Sequence, residues 1–159
     1  MSDNYLRLIP ADVRYIPADD VAAAAVGIAS RALPEADVVQ AERHEEPVFI
    51  DQGTNLEAII CPACRVRMVV FGQDGVIQQW WYELIEPLQG KGVAGVEVRT
   101  PCCAATVPFS ELEFDWPAGV ASFEISIRNP GIGNPLDETV IAQLEAVLGC
   151  RVKQVWAHY

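Results

Sequence analysis

The sequence has few basic residues and no long apolar run. Lys and Arg number 11 against 22 Asp and Glu, which gives a formal net charge of −11. A protein that binds nucleic acid by neutralising phosphates needs a basic surface, and no basic cluster occurs here. No apolar run approaches the roughly 20 residues that span a bilayer, and Met1 to Asn4 lack the basic and apolar parts of a signal peptide. We therefore predict a cytoplasmic protein that binds neither nucleic acid nor a membrane.

Recognisable catalytic motifs are also scarce. Ser110 and Ser122 have no neighbouring His, and no G-x-S-x-G motif surrounds either of them. His44 lies among charged residues without a partner in the sequence, and we interpret it as an exposed loop residue. Three carboxylates alternate with apolar residues and predict a solvated strand face, with a metal-hydrolase role as the less favoured alternative: Glu111, Glu113 and Asp115.

The composition is that of a globular protein. Hydrophobic residues make up 51% of the chain and charged residues 21%, so there is enough apolar material for a core. A length of 159 residues fits a single domain, 1–159, or one domain that carries an insertion. The acidity favours solubility, and it also suits a basic protein partner through electrostatic steering.

Two similar successions of elements flank the middle of the chain. The first has a strand at 5–9, a helix that opens at Pro17 with Asp19 and Asp20 in its first turn, an acidic surface connection at 35–46 and a strand at 48–50. The second has a half-buried strand at 123–128, a helix and a closing strand at 152–158. That second helix is predicted to have Asn134 as its cap, Pro135 at its first position and Gly149 at its end.

Each of these two successions is a predicted strand–helix–strand unit. Together the two units predict the fold class. We expect an α+β protein with a ferredoxin-like split βαβ sandwich. Residues 57–117 would form a zinc-ribbon-like insertion between the two halves. A third helix with Trp80 and Trp81 falls in this insertion, where the aromatic pair is most simply core, with a cofactor or partner groove as the alternative.

The insertion carries four of the five cysteines, in two pairs. Cys61 and Cys64 have the C-x-x-C spacing with which a turn points two sulfurs at one tetrahedral metal. Cys102 and Cys103 are adjacent, so in an extended backbone their side chains would point to opposite faces. Pro101 and the small residues that follow favour a bend that lets both bind. We therefore predict a structural Zn²⁺ site with Cys61, Cys64, Cys102 and Cys103 as ligands.

Two alternatives remain open for this site. If Cys102 and Cys103 do not both bind, the fourth position falls to Cys150, His44, His158 or a water, and a water-bearing site is open to catalysis. A C-x-x-C pair with a later Thr-Pro is also similar to thioredoxin-like redox enzymes. In those enzymes a helix follows the second cysteine, whereas a strand pattern follows Cys64 here. Cys150 itself is interpreted as a small core residue.

Several stretches carry a resemblance to a set of uncharacterised bacterial proteins with a zinc-ribbon-like CPxC/TPCC segment and a C-terminal WAHY. The stretches span residues from about 60 to the end: Cys61-Pro62-x-Cys64, Thr100-Pro101-Cys102-Cys103, the Phe114–Gly119 segment, Asn129-Pro130 and Trp156-Ala157-His158-Tyr159. The resemblance implies a bacterial metal-binding domain and implies no activity.

The sequence thus favours a non-catalytic cytosolic protein with a structural zinc site made of four cysteines. It would act through protein–protein contacts, and the charge of −11 suggests an acidic inhibitor or immunity-type partner of a basic protein. The alternative is an enzyme, either a thiol redox enzyme or a hydrolase around an open metal position.

Overall fold

The computed structural model describes residues 2–133 and 135–159, so the predicted cap Asn134 lies outside the described residues. The protein is a mixed α+β fold with antiparallel sheets. Two single-turn 3-10 helices, Glu86–Leu88 and Phe109–Glu111, accompany the main elements. In chain order these are β1 (Asn4–Pro10), α1 (Asp19–Ala32), β2 (Val38–Ile50), β3 (Ala58–Ile60), β4 (Arg67–Val69), α2 (Val76–Ile85), β5 (Glu97–Arg99), β6 (Thr106–Pro108), β7 (Glu113–Phe114), β8 (Gly119–Arg128), α3 (Glu138–Leu148) and β9 (Val152–His158).

The largest sheet has four strands in the order β2-β8-β1-β9. Each neighbouring pair is antiparallel; Leu8 pairs with Ile125, and Leu6 pairs with Trp156. Helix α1 connects β1 to β2 across the intervening β8, and α3 connects β8 to β9 across the intervening β1. The four-stranded sheet is therefore assembled from both ends of the chain.

Both long helices pack on one face of this sheet. Alanines on α1 are buried because small side chains allow a close approach, and Leu144 and Leu148 supply the buried face of α3. Asp137 caps α3 by accepting a hydrogen bond of 2.8 Å from the Thr139 N–H. The helix therefore begins at Glu138 and not at Pro135 as the sequence predicts. Gly149 ends α3 with φ +72°, as expected.

The predicted surface connection at 35–46 is wrong, because β2 already begins at Val38. This first part of β2 pairs with β8, with Glu42 opposite Glu124 and Arg43 opposite Phe123. It lies at the edge of the sheet, so its side chains need no apolar alternation and its polar sequence resembles a loop.

Strand β8 is buried on both faces, whereas the sequence predicts a strand with one exposed face. The face turned away from the helices carries polar residues. Glu124 is only 4% exposed, and its neighbours Ser122 and Ser126 are buried as well. Arg7 covers Glu124 from β1 with its Nε 3.5 Å from Oε1. His44 covers it from β2 with its Nε2 3.1 Å from Oε2. Burial raises the pKa of the Glu124 carboxyl, although both neighbours favour its charged form. The prediction that His44 is a partnerless loop residue is therefore wrong.

Residues between β2 and β8 form the cysteine region, which we define as residues 51–118. It holds a three-stranded sheet in the order β4-β3-β7, the β5–β6 pair and α2. These elements share an apolar core that includes Trp81 and Phe109. Phe49 of β2 packs into the same core, with ring centroids 5.3 Å from Phe109 and 5.8 Å from Trp81. The cysteine region is thus joined by packing to the end of β2.

The cysteine region also covers the outer edge of β9. The Trp156 carbonyl accepts hydrogen bonds from Asn55 Nδ2 at 3.0 Å and from Trp116 Nε1 at 3.1 Å. The His158 carbonyl accepts one from the Thr54 N–H at 2.9 Å. Gly53 lies so close that a Cβ there would be 2.2 Å from the same carbonyl oxygen. None of the described helices has the length and apolar character needed to cross a membrane.

Candidate metal centre

The first cysteine pair lies in a tight turn between β3 and β4. We call this turn, residues 61–66, the first turn. The Cys61 N–H donates to the Val66 carbonyl at 3.0 Å, and the Arg65 N–H donates to the Cys61 carbonyl at 2.9 Å. Arg65 closes the turn with a positive φ of 66°. These bonds bend the chain so that the sulfurs of Cys61 and Cys64 lie on the same side of the turn.

The second pair lies in a turn with the same hydrogen bonds between β5 and β6. We call this turn, residues 100–105, the second turn. The Thr100 N–H donates to the Ala105 carbonyl at 2.9 Å, and the Ala104 N–H donates to the Thr100 carbonyl at 2.9 Å. Ala104 closes this turn with a φ of 58°. Position by position, Thr100 corresponds to Cys61 of the first turn, and Cys103 corresponds to Cys64.

This correspondence explains how adjacent cysteines approach one centre. Cys102 occupies the third position of the turn, where the backbone is bent, so the two neighbouring side chains do not point to opposite faces. The Sγ atoms of Cys64 and Cys102 are 3.4 Å apart, and those of Cys61 and Cys103 are 3.8 Å apart. All four Sγ atoms lie within 4.8 Å of one another. The structure therefore brings together the four cysteines that the sequence predicts as ligands.

The spacing of the sulfurs fits a tetrahedral metal. With metal–sulfur bonds of about 2.3 Å, the edge of a tetrahedron of sulfurs is about 3.8 Å. The contacts of 3.4 and 3.8 Å are close to that edge and well beyond the roughly 2.05 Å of a disulfide bond. Four cysteines so placed could hold a metal ion.

The electrostatic setting differs among the thiols. Burial opposes ionisation of Cys61, but backbone N–H groups of Cys64 and Ala63 bond to its sulfur and lower its pKa to about 6. Burial and the neighbouring thiols of Cys64 and Cys61 raise the pKa of Cys102 to about 12. The Thr100 hydroxyl and the Ala105 N–H lower the pKa of Cys103. A cation at the centre is what would allow all of these sulfurs to be thiolates together.

Thr100 is the residue of this site that the sequence prediction missed. Its Oγ1 lies 3.3 Å from the Cys103 sulfur and 3.3 Å from the Ala105 carbonyl. The signal in the sequence was the match between Thr-Pro-Cys-Cys and Cys-Pro-Ala-Cys, in which the proline takes the second position of both turns. Thr100 is 1% exposed, so its hydroxyl needs these internal partners.

The other residues considered as a fourth ligand lie elsewhere. Cys150 is partly buried and packs against the core between the helices and the four-stranded sheet, as predicted for a small core residue. His158 Nδ1 lies 2.8 Å from Asn4 Oδ1. His44 contacts Glu124 in the four-stranded sheet, as described above. None of the three belongs to the cysteine cluster.

Two ion pairs tie the strands beside the first turn together. Arg65 makes a bidentate contact with Glu113 at 2.8 and 2.9 Å. Arg67 donates to Asp115 at 2.8 Å, and Asp115 also accepts the Ala58 N–H at 3.0 Å. These contacts connect β7 to β3 and β4. Glu113 and Asp115 therefore help to hold β7 against its neighbours. The predicted strand face of three carboxylates is wrong, because Glu111 lies in the 3-10 helix Phe109–Glu111 and Asp115 follows the end of β7.

The two tryptophans of α2 have different surroundings. Trp81 is 3% exposed and belongs to the core, as its position in the pattern predicts. Trp80 donates from its Nε1 to the Arg99 carbonyl at 3.2 Å, directly before Thr100. Helix α2 therefore supports the strand that leads into the second turn.

Comparisons with protein families, with curated proteins and with solved structures found no match for this chain.

Proposed function

We propose that this protein is a non-catalytic, cytosolic zinc-binding protein with a structural four-cysteine site that acts through protein–protein contacts. The observation that carries the proposal is the convergence of four Sγ atoms within 4.8 Å of one another from two turns of the same construction. Zinc suits this donor set because it prefers four tetrahedral ligands and binds thiolates strongly.

A structural role is favoured over metal-centred catalysis. Four protein sulfurs complete a tetrahedral shell, whereas a catalytic zinc keeps one position for water. A structural metal also suits its surroundings, because β3 to β7 are each two or three residues long and have few backbone pairs of their own. The metal would join the β3–β4 and β5–β6 turns, which belong to different sheets.

The thiol redox alternative receives less support. Cys64 is followed by Arg65 with a positive φ and then by β4, so no helix begins at the second cysteine to stabilise a thiolate. The nearest following helix, α2, begins only at Val76. The redox chemistry would also leave the second cysteine pair without a role.

We further propose that the fold is a ferredoxin-like split βαβ sandwich with a zinc-ribbon-like insertion at 57–117. The strand order β2-β8-β1-β9 with two crossing helix connections supports the first part. The separate core of the cysteine region and its two cysteine turns support the second part.

A basic protein is the partner that the charge distribution favours. The net charge is −11, and the edge strand β2 carries exposed Glu45 and Glu46. A basic partner would be attracted to this edge over a Debye length of about 10 Å at 0.1 M salt. An acidic inhibitor or immunity-type protein would use its charge in this way.

Elemental analysis with X-ray absorption at the zinc edge tests the metal. We expect one zinc per chain, with four sulfur neighbours at about 2.3 Å. A shell with fewer than four sulfurs and a water would contradict the structural assignment. A metal-free protein whose thiols cycle with a measurable reduction potential would contradict zinc binding itself.

Affinity capture at low and high salt tests the partner. We expect the wild-type chain to capture a basic protein at low salt and to release it at high salt. A Glu45→Lys variant should capture the same protein less strongly. Glu83→Lys on α2 is the matched control, because it changes the net charge equally at a different exposed site. Equal loss in both variants would mean that net charge, and not the β2 edge, determines binding.

A further inference from the structure

A second group of metal-ligating side chains lies on the four-stranded sheet. Among the described residues, Glu42 and His44 of β2 and Glu124 of β8 place one ligand atom each within 4.8 Å of one another. The group offers two carboxylate oxygens and an imidazole nitrogen, whereas the cysteine cluster offers four sulfurs. None of its members has a part in the proposed structural zinc site.

The pairing of β2 with β8 brings the three side chains together. Glu42 lies directly opposite Glu124 in this antiparallel pair, so their side chains leave the sheet side by side on one face. His44 follows two residues later, where the register of the two strands shifts, and its Nε2 lies 3.1 Å from Glu124 Oε2. Irregularities of this kind re-aim a side chain of the strand. All three groups therefore come from strands and not from a loop.

The distance from His44 to Glu124 fits a shared metal ion. With metal–ligand bonds of about 2.1 Å, neighbouring ligand atoms are about 3.0 Å apart around an octahedral ion and about 3.4 Å apart around a tetrahedral one. The observed 3.1 Å lies between these values. A hydrogen bond can have the same length, so the feature that points to a metal is the second carboxylate. Like charges directly opposite each other destabilise a sheet unless a cation lies between them, and Glu42 is in that position relative to Glu124.

Each carboxylate has one oxygen beside a donor from outside the group. Gln40 Nε2 donates to Glu42 Oε1 at 2.8 Å, and Arg7 Nε lies 3.5 Å from Glu124 Oε1. The second oxygen of each carboxylate is left for another partner, and in Glu124 this is the oxygen that faces His44. Outer partners of this kind orient carboxylates that bind metals.

The charge of the group and its exposure suit a cation that enters from solvent. Arg7 compensates one of the two carboxylates, so the group keeps one negative charge when the imidazole is neutral. Glu124 is 4% exposed, whereas Glu42 and His44 are partly exposed at the edge strand. A metal ion could therefore reach the group from the edge of the sheet and keep water as its remaining ligands.

We infer that Glu42, His44 and Glu124 bind a divalent first-row transition-metal ion, with water in the remaining positions. Imidazole and carboxylate ligands suit such ions, whereas thiolates select zinc and other soft metals. Three ligands with water hold an ion less tightly than four thiolates do, so we expect this ion to exchange with the solution. The inference does not depend on the cysteine cluster, because the two groups share no residue.

Mn²⁺ added to the full chain in the presence of its zinc is the probe. It binds carboxylates and imidazole and competes poorly with zinc for thiolates. The decrease of the electron paramagnetic resonance signal of free Mn²⁺ counts the bound ions. We expect one saturable Mn²⁺ per chain, with the spin-echo modulation of a directly bound imidazole nitrogen. The zinc content, measured in parallel, should stay unchanged, which separates this site from the cysteine cluster.

Two matched pairs of variants identify the ligands. His44→Gln should abolish the nitrogen modulation and weaken Mn²⁺ binding by at least about tenfold, whereas His158→Gln, at the second of the two histidines, should change neither. Glu42→Gln should weaken binding by a similar factor. Glu45→Gln removes the same charge from an exposed position of the same strand and should have little effect. Thermal unfolding of each variant checks that it is folded.

Three results would overturn the inference. The first is the absence of saturable Mn²⁺ binding at millimolar concentrations of the ion. The second is equal weakening by Glu42→Gln and Glu45→Gln, because the acidic surface as a whole would then attract the ion. The third is nitrogen modulation that persists in a folded His44→Gln variant. A chain that lacks zinc in its cysteine cluster but binds Mn²⁺ as described would contradict only the proposed structural site.

Discussion

The first turn and the second turn have the same backbone and different cysteine positions. Both have a proline at the second position, a cysteine at the fourth and a residue with positive φ at the fifth. The remaining sulfur comes from the first position in one turn, Cys61, and from the third position in the other, Cys102. The comparison shows that the hydrogen-bonded turn brings the sulfurs together, and that the C-x-x-C spacing is one of two ways to supply them.

The first position of the turn has a different role in each turn, because it is a cysteine in the first turn and a threonine in the second. Cys61 contributes a buried sulfur to the cluster, whereas Thr100 places the oxygen of its hydroxyl, which has a single proton to donate, 3.3 Å from both the Cys103 sulfur and the Ala105 carbonyl. The second turn therefore has a hydroxyl where the first turn has a proposed ligand. A donor beside a thiolate favours its charged form, and the Thr100 hydroxyl lowers the pKa of Cys103 in this way. It would therefore favour a metal bound to Cys103 without being a ligand itself.

The largest expected effect is from Cys61→Ser, which removes the buried sulfur of the first turn. We expect loss of zinc and unfolding of the cysteine region, because structural zinc supplies on the order of 10 kcal/mol of apparent binding free energy in small zinc-dependent peptides. Metal content and hydrogen exchange measure both effects. Cys150→Ser is the control and should retain the metal, since Cys150 lies in the other core. Retained zinc in Cys61→Ser would contradict the assigned ligand set.

A smaller change in zinc affinity is expected when one sulfur of the second turn is moved from the third position to the first. Cys102→Ser alone should weaken zinc binding strongly, because it leaves three sulfurs. The double variant Thr100→Cys, Cys102→Ser places cysteines at the first and fourth positions, as in the first turn, and should restore most of the affinity. Competition with a zinc chelator measures the recovery. If the double variant binds no better than Cys102→Ser, the two turns are not equivalent.

The smallest effect is expected at the fifth position of each turn. Ala104→Gly should raise the free energy of unfolding by about 0.5–1 kcal/mol, because glycine adopts a positive φ without strain and this gain exceeds its loss of chain entropy. Arg65→Gly relieves the same strain but removes the ion pair with Glu113, so we expect it to gain less. Chemical denaturation of the metal-bound protein measures both. A larger gain for Arg65→Gly would mean that the ion pair has no stabilising role.

The long elements of the four-stranded sheet could be predicted because their sequences are periodic. Alternation in β8 and the helical spacing in α1 and α3 identify these segments, and Gly149 marks the end of α3. The early part of β2 could not be predicted, because an edge strand with exposed charged residues has no apolar period. The partner that makes it a strand, β8, lies about 80 residues away in the chain, as the pairing of Glu42 with Glu124 shows.

The four cysteines of the candidate site could be predicted from their types and spacing, while their arrangement could not. Whether neighbouring Cys102 and Cys103 reach one centre depends on the bond from the Thr100 N–H to the Ala105 carbonyl, which is a property of the folded turn. The contact of His44 with Glu124 was missed for a similar reason, since it joins strands that are far apart in sequence.

The covering of β9 by the cysteine region has a consequence for solution behaviour. The carbonyls of Trp156 and His158 are held by Asn55, Trp116 and Thr54, so the outer edge of the sheet has no open row of acceptors at that end. A chain that loses the fold of its cysteine region uncovers this edge, and uncovered edges pair with the strands of other chains. The segment that carries the four cysteines would thus also keep one molecule from adding to the sheet of the next.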